Sequence, residues 1–597
     1  MPSIISLIFF VILLPLKTNA QLTVDVVYPR EEQIVSASDS TFIFGAANNP
    51  AARVFVNGLP MRMYSNGAFM GMVPISTGDF LFKCIAQTES DSAEVIINVV
   101  VASYLTTTRN DTIAIDSTFF LPGQNIELRA GDYLEIAFKG TPGLTASFSI
   151  PGLIEDAEMV EAPPRKEFYW GESVFGVGKI TPTPDVAGIY CGGLFIKQDT
   201  EMDTVEIEFE LLGANGISAT AIAPGRLTVR NDSSPRIVEL TEEITVARTG
   251  SGLGYQMFLP EGVKLWVTGK KGTYYRAQLN SLEDIWVPES NLKFLPAGTP
   301  IPSSTIELVR SRNFDRKVRI TFHLRERLPF KIAQLNDPSA LIVSIYGATS
   351  NTDWIRYDFE DPLLREMSWS QPVNGVYEVK ILLDQKQQWG YNPYYDGTNL
   401  ELEIKKPPKK FSLKYMTICI DPGHGPDNGA IGPTRFKEKD ANMQLSLTLK
   451  EKLEKKGAKV FLTRKDHHGA ALAVRTKLAA FVQADVLLSI HHNALPDGVN
   501  PFANKGSSTY YYHPQSHALA VAIQKRLQTK LKLTNFGLYY DNLSICRIPQ
   551  MPAVLIEPAF IMHPDEEMQI RSRKYKKNAA DAIVKGLEDF LKKAKKN

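Results

Sequence analysis

Histidines and acidic side chains collect late in the sequence, at points where short apolar runs end. The run ICIDPGHG ends near His424, and the run VLLSIHHN ends in His491, His492 and Asn493. A third run, AVLIEPAF, places Glu557 just after its last long apolar stretch. Sites in open α/β sheets lie beyond the carboxyl ends of the strands. These side chains are therefore predicted to meet at one edge of a sheet.

The same residue types indicate a metal-dependent hydrolytic site. Eight of the nine histidines follow residue 411, and a further acid, Glu438, lies in FKEKD. Hydrolytic zinc sites use three protein ligands, drawn from imidazole nitrogens and carboxylate oxygens, plus a water molecule. Two histidines and one glutamate from separate strand ends match that number. In the first loop, Gly423 and Gly425 let the backbone turn, and Asp421 is placed to orient the loop or a ligand.

The elements that must carry these residues indicate an α/β domain at 411–597. A basic, proline-split linker at 405–410, KKPPKK, precedes it. Amphipathic patterns predict helices near 439–456, 470–483 and 516–531, and the apolar runs around them, including LSICRI, predict strands. Continuously apolar strands flanked by helices are typical of a mostly parallel sheet that is buried on both faces.

The preceding part of the chain is β-rich, with short alternating runs separated by Gly, Pro, Asn and Asp. Residues 21–102 resemble bacterial Ig-like sandwiches. Residues 103–235 form a β-rich domain of unknown type. Residues 236–300, with the run ending in WVPESNL, resemble a bacterial SH3-like barrel. Residues 301–405 are similar to the AMIN-like β domain that precedes catalytic domains in envelope amidases. The prediction is a multidomain chain of all-β modules followed by an α/β domain.

Aromatic residues of the SH3-like segment have two interpretations. Trp266, Tyr274, Tyr275 and Trp286 lie close together in the sequence. They form either a binding groove or, as is common for such residues, part of the core.

The N-terminus indicates export. Residues 4–16 form an apolar block that is too short for a comfortable membrane span, and small residues precede Gln21. This pattern predicts a signal peptide at 1–20, cut after Ala20, and no transmembrane anchor in the mature chain. The net charge of +1 argues against a nucleic-acid partner. The four cysteines show no metal-binding spacing, and a disulfide between any two of them stays open.

Six ordered motifs after residue 416 resemble the zinc-dependent N-acetylmuramoyl-L-alanine amidases. They are IDPGHG, KEKDANMQLSLTLKEKL, VFLTR, LAVRTKLA, LLSIHHNA and AVLIEPAFIMHPDEE. The resemblance implies hydrolysis of the bond between N-acetylmuramic acid and L-alanine of the peptidoglycan stem peptide. It also implies an exported protein of the bacterial periplasm or cell envelope, with envelope proteins as further partners of the β modules.

The resemblance assigns roles to individual residues. It implies one Zn²⁺ per chain, bound by His424, Glu438 and His491, with Glu557 as the catalytic acid and base. Asp421, Arg475 and Asn493 are predicted as supporting residues that contact the substrate or the ligands.

Several positions depart from the family pattern. Pro426 follows GHG where glycine is usual, Ala559 fills a usual glycine position, and His492 is a second histidine beside His491. Alternation along a strand favours His491 as the ligand. The span 495–506 has two prolines among twelve residues, and no helix that could block the site is expected there.

Two other functions stay open at this point. One is a zinc peptidase that cuts another amide of the cell wall. The other is a non-catalytic wall-binding scaffold, in which the β modules carry the function. The complete set of His424, Glu438, His491 and Glu557 argues against a degenerate α/β domain.

Overall fold

The structure is a computed structural model, and it describes residues 21–37, 39–102, 105–166, 185–231, 234–357, 361–466 and 468–596. The predicted signal peptide, residues 1–20, lies outside the described residues. No helix in the described part of the chain is long and apolar enough to span a membrane.

The first β region, residues 21–102, consists of two facing sheets, and we call it the N-terminal sandwich. One sheet orders the strands Val24–Tyr28, Ser40–Ala47, Ala68–Pro74 and Arg62–Met63. The other sheet orders Gln33–Val35, Ser92–Val101, Gly78–Gln87, Arg53–Val56 and Leu59–Pro60. Ile43, Phe69 and Phe82 belong to the fully buried core between the sheets.

The second β region shares a sheet with the region that follows it. Its own sheet orders the strands Ile115–Leu121, Tyr133–Gly140, Ile189–Phe195, Ile154–Glu161, Thr145–Ile150, Glu208–Leu212 and Ser218–Ile222. A short ladder joins Arg165–Lys166 to Asp185–Val186. The shared sheet orders Met202–Val205, Leu227–Arg230, Ile126–Arg129, Lys264–Lys271, Tyr274–Gln278, Asp284–Pro288, Ile244–Arg248 and Tyr255–Pro260. Arg236–Leu240 pairs with Lys264–Lys271 and with Leu292–Phe294, and a 3-10 helix spans Glu289–Asn291. The pairing of Ile126–Arg129 with Lys264–Lys271 therefore crosses the predicted boundary near 235.

The aromatic residues of this region divide between core and partly exposed positions. Tyr275 belongs to the buried core, whereas Trp266, Tyr274 and Trp286 are half-buried. The Arg129 guanidinium lies 5.2 Å from the Trp266 ring centroid, and so a residue of the second region covers this ring.

The last β region, within residues 301–405, packs two sheets around a common core. One sheet orders Ala348–Tyr357, Ser304–Asn313, Lys317–Phe322, Asn399–Lys405 and Tyr391–Asp396. The other orders Phe330–Asn336, Ser339–Tyr346, Val376–Leu383 and Leu364–Val373. Val318, Leu341 and Tyr377 are fully buried between them. Trp389, also fully buried, packs on Phe411 and Phe590 and so links this region to the α/β domain.

The α/β domain is built on one sheet with strands in the order Lys459–Leu462, Thr417–Pro422, Val486–Ile490, Ala553–Glu557, Ser507–Tyr511 and Asn535–Tyr540. Neighbouring strands are parallel except where Ser507–Tyr511 meets Ala553–Glu557. The parallel order brings the ends of Thr417–Pro422, Val486–Ile490 and Ala553–Glu557 to one edge.

Helices cover both faces of this sheet. They span Glu438–Lys455, Leu472–Phe481, Pro514–Leu531, Pro564–Arg571 and Arg573–Lys596, and a 3-10 helix spans Leu413–Tyr415. In the first helix Leu445, Leu449 and Leu453 recur at every fourth residue and are fully buried. Gly457, with φ of +84°, ends that helix in the left-handed conformation that a helix C-terminus favours.

One predicted strand is wrong and one strand was not predicted. The LSICRI segment forms turns instead of a strand, because Ile545, Cys546 and Ile548 pack as an apolar cluster against one face of the sheet. The strand at that edge is Asn535–Tyr540, whose residues are half-buried or exposed and show little apolar pattern. The four cysteines, all among the described residues, are free thiols.

Candidate metal centre

Three side chains from separate segments face one another at the carboxyl edge of the sheet. His424 Nε2 lies 2.9 Å from Glu438 Oε2, and His491 Nδ1 lies 2.9 Å from Glu438 Oε1. One donor atom from each of the three residues lies within 4.8 Å of the others. His424 follows the strand Thr417–Pro422, His491 follows Val486–Ile490, and Glu438 begins a helix. The structure thus brings together the three residues predicted as ligands.

The central carboxylate has a lowered pKa although it is buried. Burial alone would raise the pKa of Glu438, but hydrogen bonds with His424 and His491 hold that pKa well below its usual value. The far nitrogen of His424, Nδ1, lies 2.6 Å from Asp427 Oδ1. A carboxylate in that position fixes the orientation of a ligating imidazole, and leaves Nε2 of His424 free to face the centre.

Two glycines make room for the ligands. A Cβ atom on Gly423 would stand 2.2 Å from His491 Nε2, and one on Gly429 would stand 2.5 Å from Glu438 Oε2. Gly429 also has a φ of +64°, which other residues adopt at a cost. The glycines of the GHGPDNG loop therefore serve the close approach of side chains to the centre.

The donor set fits a zinc ion. Two imidazole nitrogens and one carboxylate are ligands that catalytic zinc sites use, with a remaining position for water. The carboxylate donor is buried and held in place, since Glu438 is 4% exposed and its Oε2 atom accepts a hydrogen bond from the backbone N–H of Ala430 at 2.8 Å.

Glu557 ends the neighbouring strand, next to the centre. Its Oε2 atom is buried and has no hydrogen-bond partner among the described residues. Burial, and then the negative charge of Glu438, raise the pKa of Glu557 well above its usual value. A carboxyl group with a raised pKa beside a candidate metal centre is a candidate functional group.

Arg475 and Asp421 contact the loop that carries His424 and are not among the three donors of the centre. Asp421 accepts a hydrogen bond from Arg475 Nη1 at 2.9 Å and another from the Ser489 hydroxyl at 2.7 Å. Arg475 also donates to the carbonyl groups of Pro422, His424 and Gly425, at 2.8, 2.6 and 2.8 Å. The pair therefore holds the loop in its turn.

Asn493 joins the histidine segment to the Glu557 segment. Its backbone N–H donates to Ala559 O at 2.9 Å, and its carbonyl accepts from Ile561 N at 3.0 Å. Its side-chain amide lies 3.4 Å from the Tyr510 hydroxyl. Ala559, at the usual glycine position, is fully buried in the core.

The second histidine, His492, turns away from the centre. Its Nδ1 lies 2.7 Å from Asn442 Oδ1, and Asn442 Nδ2 donates to Glu438 Oε1 at 3.2 Å. His492 is 1% exposed, and its ring packs 5.9 Å from that of Tyr575. His492 thus orients Glu438 through Asn442. Residues 494–506, all within the described part of the chain, contain no helix, as the prolines predicted.

The sequence of this region matches the model of a known family. Residues 418–589 match the Amidase_3 family model, described as N-acetylmuramoyl-L-alanine amidase. These residues form an Amidase_3 domain. The probable cell wall amidase LytH of Staphylococcus aureus is 36% identical over 197 residues, which make up 32% of this chain and 65% of LytH. The chain therefore spans less than two thirds of the length of that relative.

Solved structures align with the Amidase_3 domain as well. An N-acetylmuramoyl-L-alanine amidase from Clostridium difficile 630 is 35% identical, with 30% of this chain and 97% of that chain covered and a TM-score of 0.28. The catalytic domain of CwlV, an amidase from Bacillus (Paenibacillus) polymyxa var. colistinus, is 31% identical, with 30% and 98% covered and a TM-score of 0.28.

Three residues around the centre of the Amidase_3 domain carried no sequence-based role. Asp427 contacts His424, Asn442 contacts Glu438, and Arg464 donates to the carbonyl groups of Pro422 and Gly423. Asp427 was detectable, because it follows His424 by three residues in a glycine-rich turn. Asn442 was detectable as well, because it follows Glu438 by four residues on the same helix. Arg464 was not, since its acceptors are backbone carbonyl groups distant in sequence.

Replacing Arg475 with methionine is expected to weaken metal binding by about tenfold to a hundredfold, the range for residues that orient ligands. The carbonyl groups of the His424 loop would lose their donors, and Asp421 would stay buried without its cation. Titration of the metal-free protein with Zn²⁺ measures this. Lys477→Met, two residues later, removes an exposed cation paired with Glu243 and should leave the affinity unchanged. An equal loss in both variants would contradict the role of Arg475.

Proposed function

We propose that this chain is a zinc-dependent N-acetylmuramoyl-L-alanine amidase that acts on peptidoglycan. The observation that carries the proposal is the convergence of His424, Glu438 and His491 in an Amidase_3 domain, beside Glu557, whose buried Oε2 atom has no hydrogen-bond partner among the described residues. The three donors are the proposed zinc ligands, with one Zn²⁺ per chain. The name of LytH, a probable cell wall amidase, supports the same substrate.

The chemistry requires a nucleophile and a proton carrier. His424, Glu438 and His491 would hold a zinc ion, which would lower the pKa of a water molecule and polarise the scissile carbonyl. Glu557 takes the proton of the attacking water and then delivers it to the departing nitrogen of L-alanine. Its raised pKa suits this second role, because a raised pKa favours the protonated form that can deliver a proton to the departing nitrogen.

Hydrogen bonds from neighbouring residues hold the segments that carry the proposed ligands and Glu557 in place. Arg475 and Asp421 fix the turn that carries His424. Asn493 fixes the distance between the His491 segment and the Glu557 segment through its two backbone hydrogen bonds. These three are proposed as positioning residues, since reaction rates depend steeply on the placement of catalytic groups.

The β regions are proposed as wall-targeting modules of an exported enzyme. Two facing sheets around one core support an Ig-like assignment for 21–102 and an AMIN-like assignment for 301–405. The ordered hairpins of 236–300 support an SH3-like barrel, and 103–235 remains a β domain without a type. With a signal peptide at 1–20, the enzyme would act in the periplasm or cell envelope, where envelope proteins can contact these modules.

The test is the chemical identity of the cleavage product. Purified peptidoglycan incubated with the zinc-loaded full chain should release stem peptides whose new amino terminus is L-alanine, and chelation should abolish the release. A new amino terminus on another residue would instead show a peptidase that uses the same metal site. Binding to peptidoglycan with zinc present and no new amino termini would support the scaffold alternative.

A further inference from the structure

The first sheet of the N-terminal sandwich is apolar on both of its faces. In the strand Ser40–Ala47, Ile43 points into the sandwich core, while Phe42 and Phe44 belong to a separate buried cluster on the outer face. In the strand Ala68–Pro74, Phe69 points inward and Met70 outward, and both are fully buried. An antiparallel sheet of a free-standing module usually faces water on one side. This sheet therefore has a permanent partner.

The partner is the metal-site edge of the Amidase_3 domain. The outer apolar face packs on Leu495 and Val499, which follow the predicted ligand His491, and on Phe560 and Met562, which follow Glu557. All four side chains are 8% exposed or less. The cluster thus joins the sandwich to both segments that leave the site.

Polar contacts also hold the segment that follows His491. Asp497 accepts a hydrogen bond from the Tyr28 hydroxyl and another from the backbone N–H of Ser36, the latter at 2.7 Å. The backbone N–H of Gly498 lies 3.3 Å from Thr41 Oγ1. Asp497 lies six residues after His491, in the segment without a helix. Because no regular structure holds this segment, its contacts with the sandwich restrain it.

The third site segment has its own link to the sandwich. Arg435, three residues before Glu438, makes a bidentate ion pair with Asp25, with Nε to Oδ2 at 2.6 Å and Nη2 to Oδ1 at 2.5 Å. Arg435 has a φ of +62°, in a turn where its N–H donates to Gly432 O at 2.9 Å. A bidentate pair restrains both position and orientation of the guanidinium.

We infer that the N-terminal sandwich positions the metal centre, by bracing each of the three segments that carry His491, Glu438 and Glu557. Phe42, Tyr28 and Asp25 are the positioning residues on its side. The inference rests on the proposed function for its effect on zinc and on hydrolysis, while the bracing itself is a property of the metal-free protein. An Amidase_3 domain without the sandwich would expose the apolar cluster and lose the geometry of its ligands.

The mechanism of the effect is preorganisation. Segments between regular elements open more easily than the core, because they have few buried contacts of their own. A site whose ligands are held by packed neighbours binds metal and aligns a proton carrier better than one whose supporting loops move. Here the supporting neighbours lie some 400 residues away in the sequence, as the contact between Asp25 and Arg435 shows.

Hydrogen–deuterium exchange on the metal-free full chain, followed by Zn²⁺ titration, tests the inference. Phe42→Ala should speed exchange in 431–437 and 494–502 by about tenfold, and weaken Zn²⁺ binding by about tenfold. The matched control is Phe82→Ala, since Phe82 is equally buried in the same sandwich but belongs to its internal core. It should leave the exchange of both segments and the Zn²⁺ affinity near those of the wild type.

A charge reversal covers the case in which an alanine variant fails to fold. Asp25→Arg and Arg435→Asp replace exposed residues, and each alone should speed exchange in 431–437 up to about fivefold. The double variant restores the pair with reversed charges and should recover the wild-type rate. Unchanged exchange in Phe42→Ala, or single and double reversals with equal rates, would overturn the inference. A protein that shows the bracing but binds no Zn²⁺ would support the inference and contradict the proposed function.

Discussion

Replacing Glu557 with glutamine should lower peptidoglycan turnover by about a hundredfold to ten-thousandfold, the contribution typical of a general acid and base. The amide keeps the shape of the side chain but cannot take up the proton of water or return it to the leaving nitrogen. Because Glu557 Oε2 has no hydrogen-bond partner among the described residues, the substitution breaks no such bond at that atom. The initial rate of stem-peptide release measures the effect.

A measurement of Zn²⁺ affinity distinguishes the loss of the proton carrier from the loss of the metal site. The Glu557→Gln protein should bind one Zn²⁺ with an affinity close to that of the wild type, since Glu557 is not among the three clustered donors. A variant that loses zinc together with activity would mean that Glu557 is a ligand. A variant that keeps near-normal turnover would remove the proposed proton carrier from the mechanism.

Replacing His491 with alanine should weaken Zn²⁺ binding by at least about a hundredfold, because one of three protein ligands and its share of the binding free energy disappear. Replacing the adjacent His492 with alanine should weaken binding by no more than about tenfold, because His492 acts on Glu438 through Asn442. Competition with a chromophoric chelator measures both constants under the same conditions.

The two neighbouring histidines serve as each other's control. Both are buried or half-buried, both follow the same strand, and both substitutions remove one imidazole. If the His492 variant lost zinc and the His491 variant kept it, the assignment of ligands would be reversed. Equal large losses would indicate that the whole segment, and not one nitrogen atom, determines the affinity.

Much of the α/β domain could be predicted from sequence because its information is local. The helix Glu438–Lys455 follows from leucines four residues apart and from Gly457 at its end. Apolar runs that end in His424, His491 and Glu557 predicted strands, and a shared sheet edge then placed their last residues together. The predicted ligands form the one cluster of donors of this kind among the described residues.

What the sequence did not reveal depends on distant partners. The LSICRI segment has a strand-like composition, yet its apolar residues pack against a sheet face without joining a ladder. Arg464 has the sequence signature of a solvated cation, but it is 4% exposed and its acceptors are backbone carbonyls. Propensity cannot distinguish such a residue from an ordinary surface arginine, because the outcome depends on tertiary burial.

The packing of the N-terminal sandwich on the Amidase_3 domain could be predicted from the sequence only in part. The strands TFIFGAA and AFMGMVP carry apolar residues on both faces, and this pattern alone indicates that the sheet is covered twice. The sequences of the strands do not show which residues pack on the outer face of the sheet. The second cover comes from residues 495–502 and 560–562 of the Amidase_3 domain, whose contact with the sandwich was not predicted from the sequence.

Hydrolysis in H₂¹⁸O, followed by mass spectrometry of both products, tests the central claim most directly. A defined muropeptide would be incubated with the zinc-loaded full chain, and with Glu557→Gln as the inactive reference. The account predicts one ¹⁸O atom in the lactyl carboxylate of N-acetylmuramic acid and none in the released peptide, with the label dependent on Glu557. A label in a peptide carboxylate, or cleavage that the Glu557→Gln protein performs equally well, would contradict it.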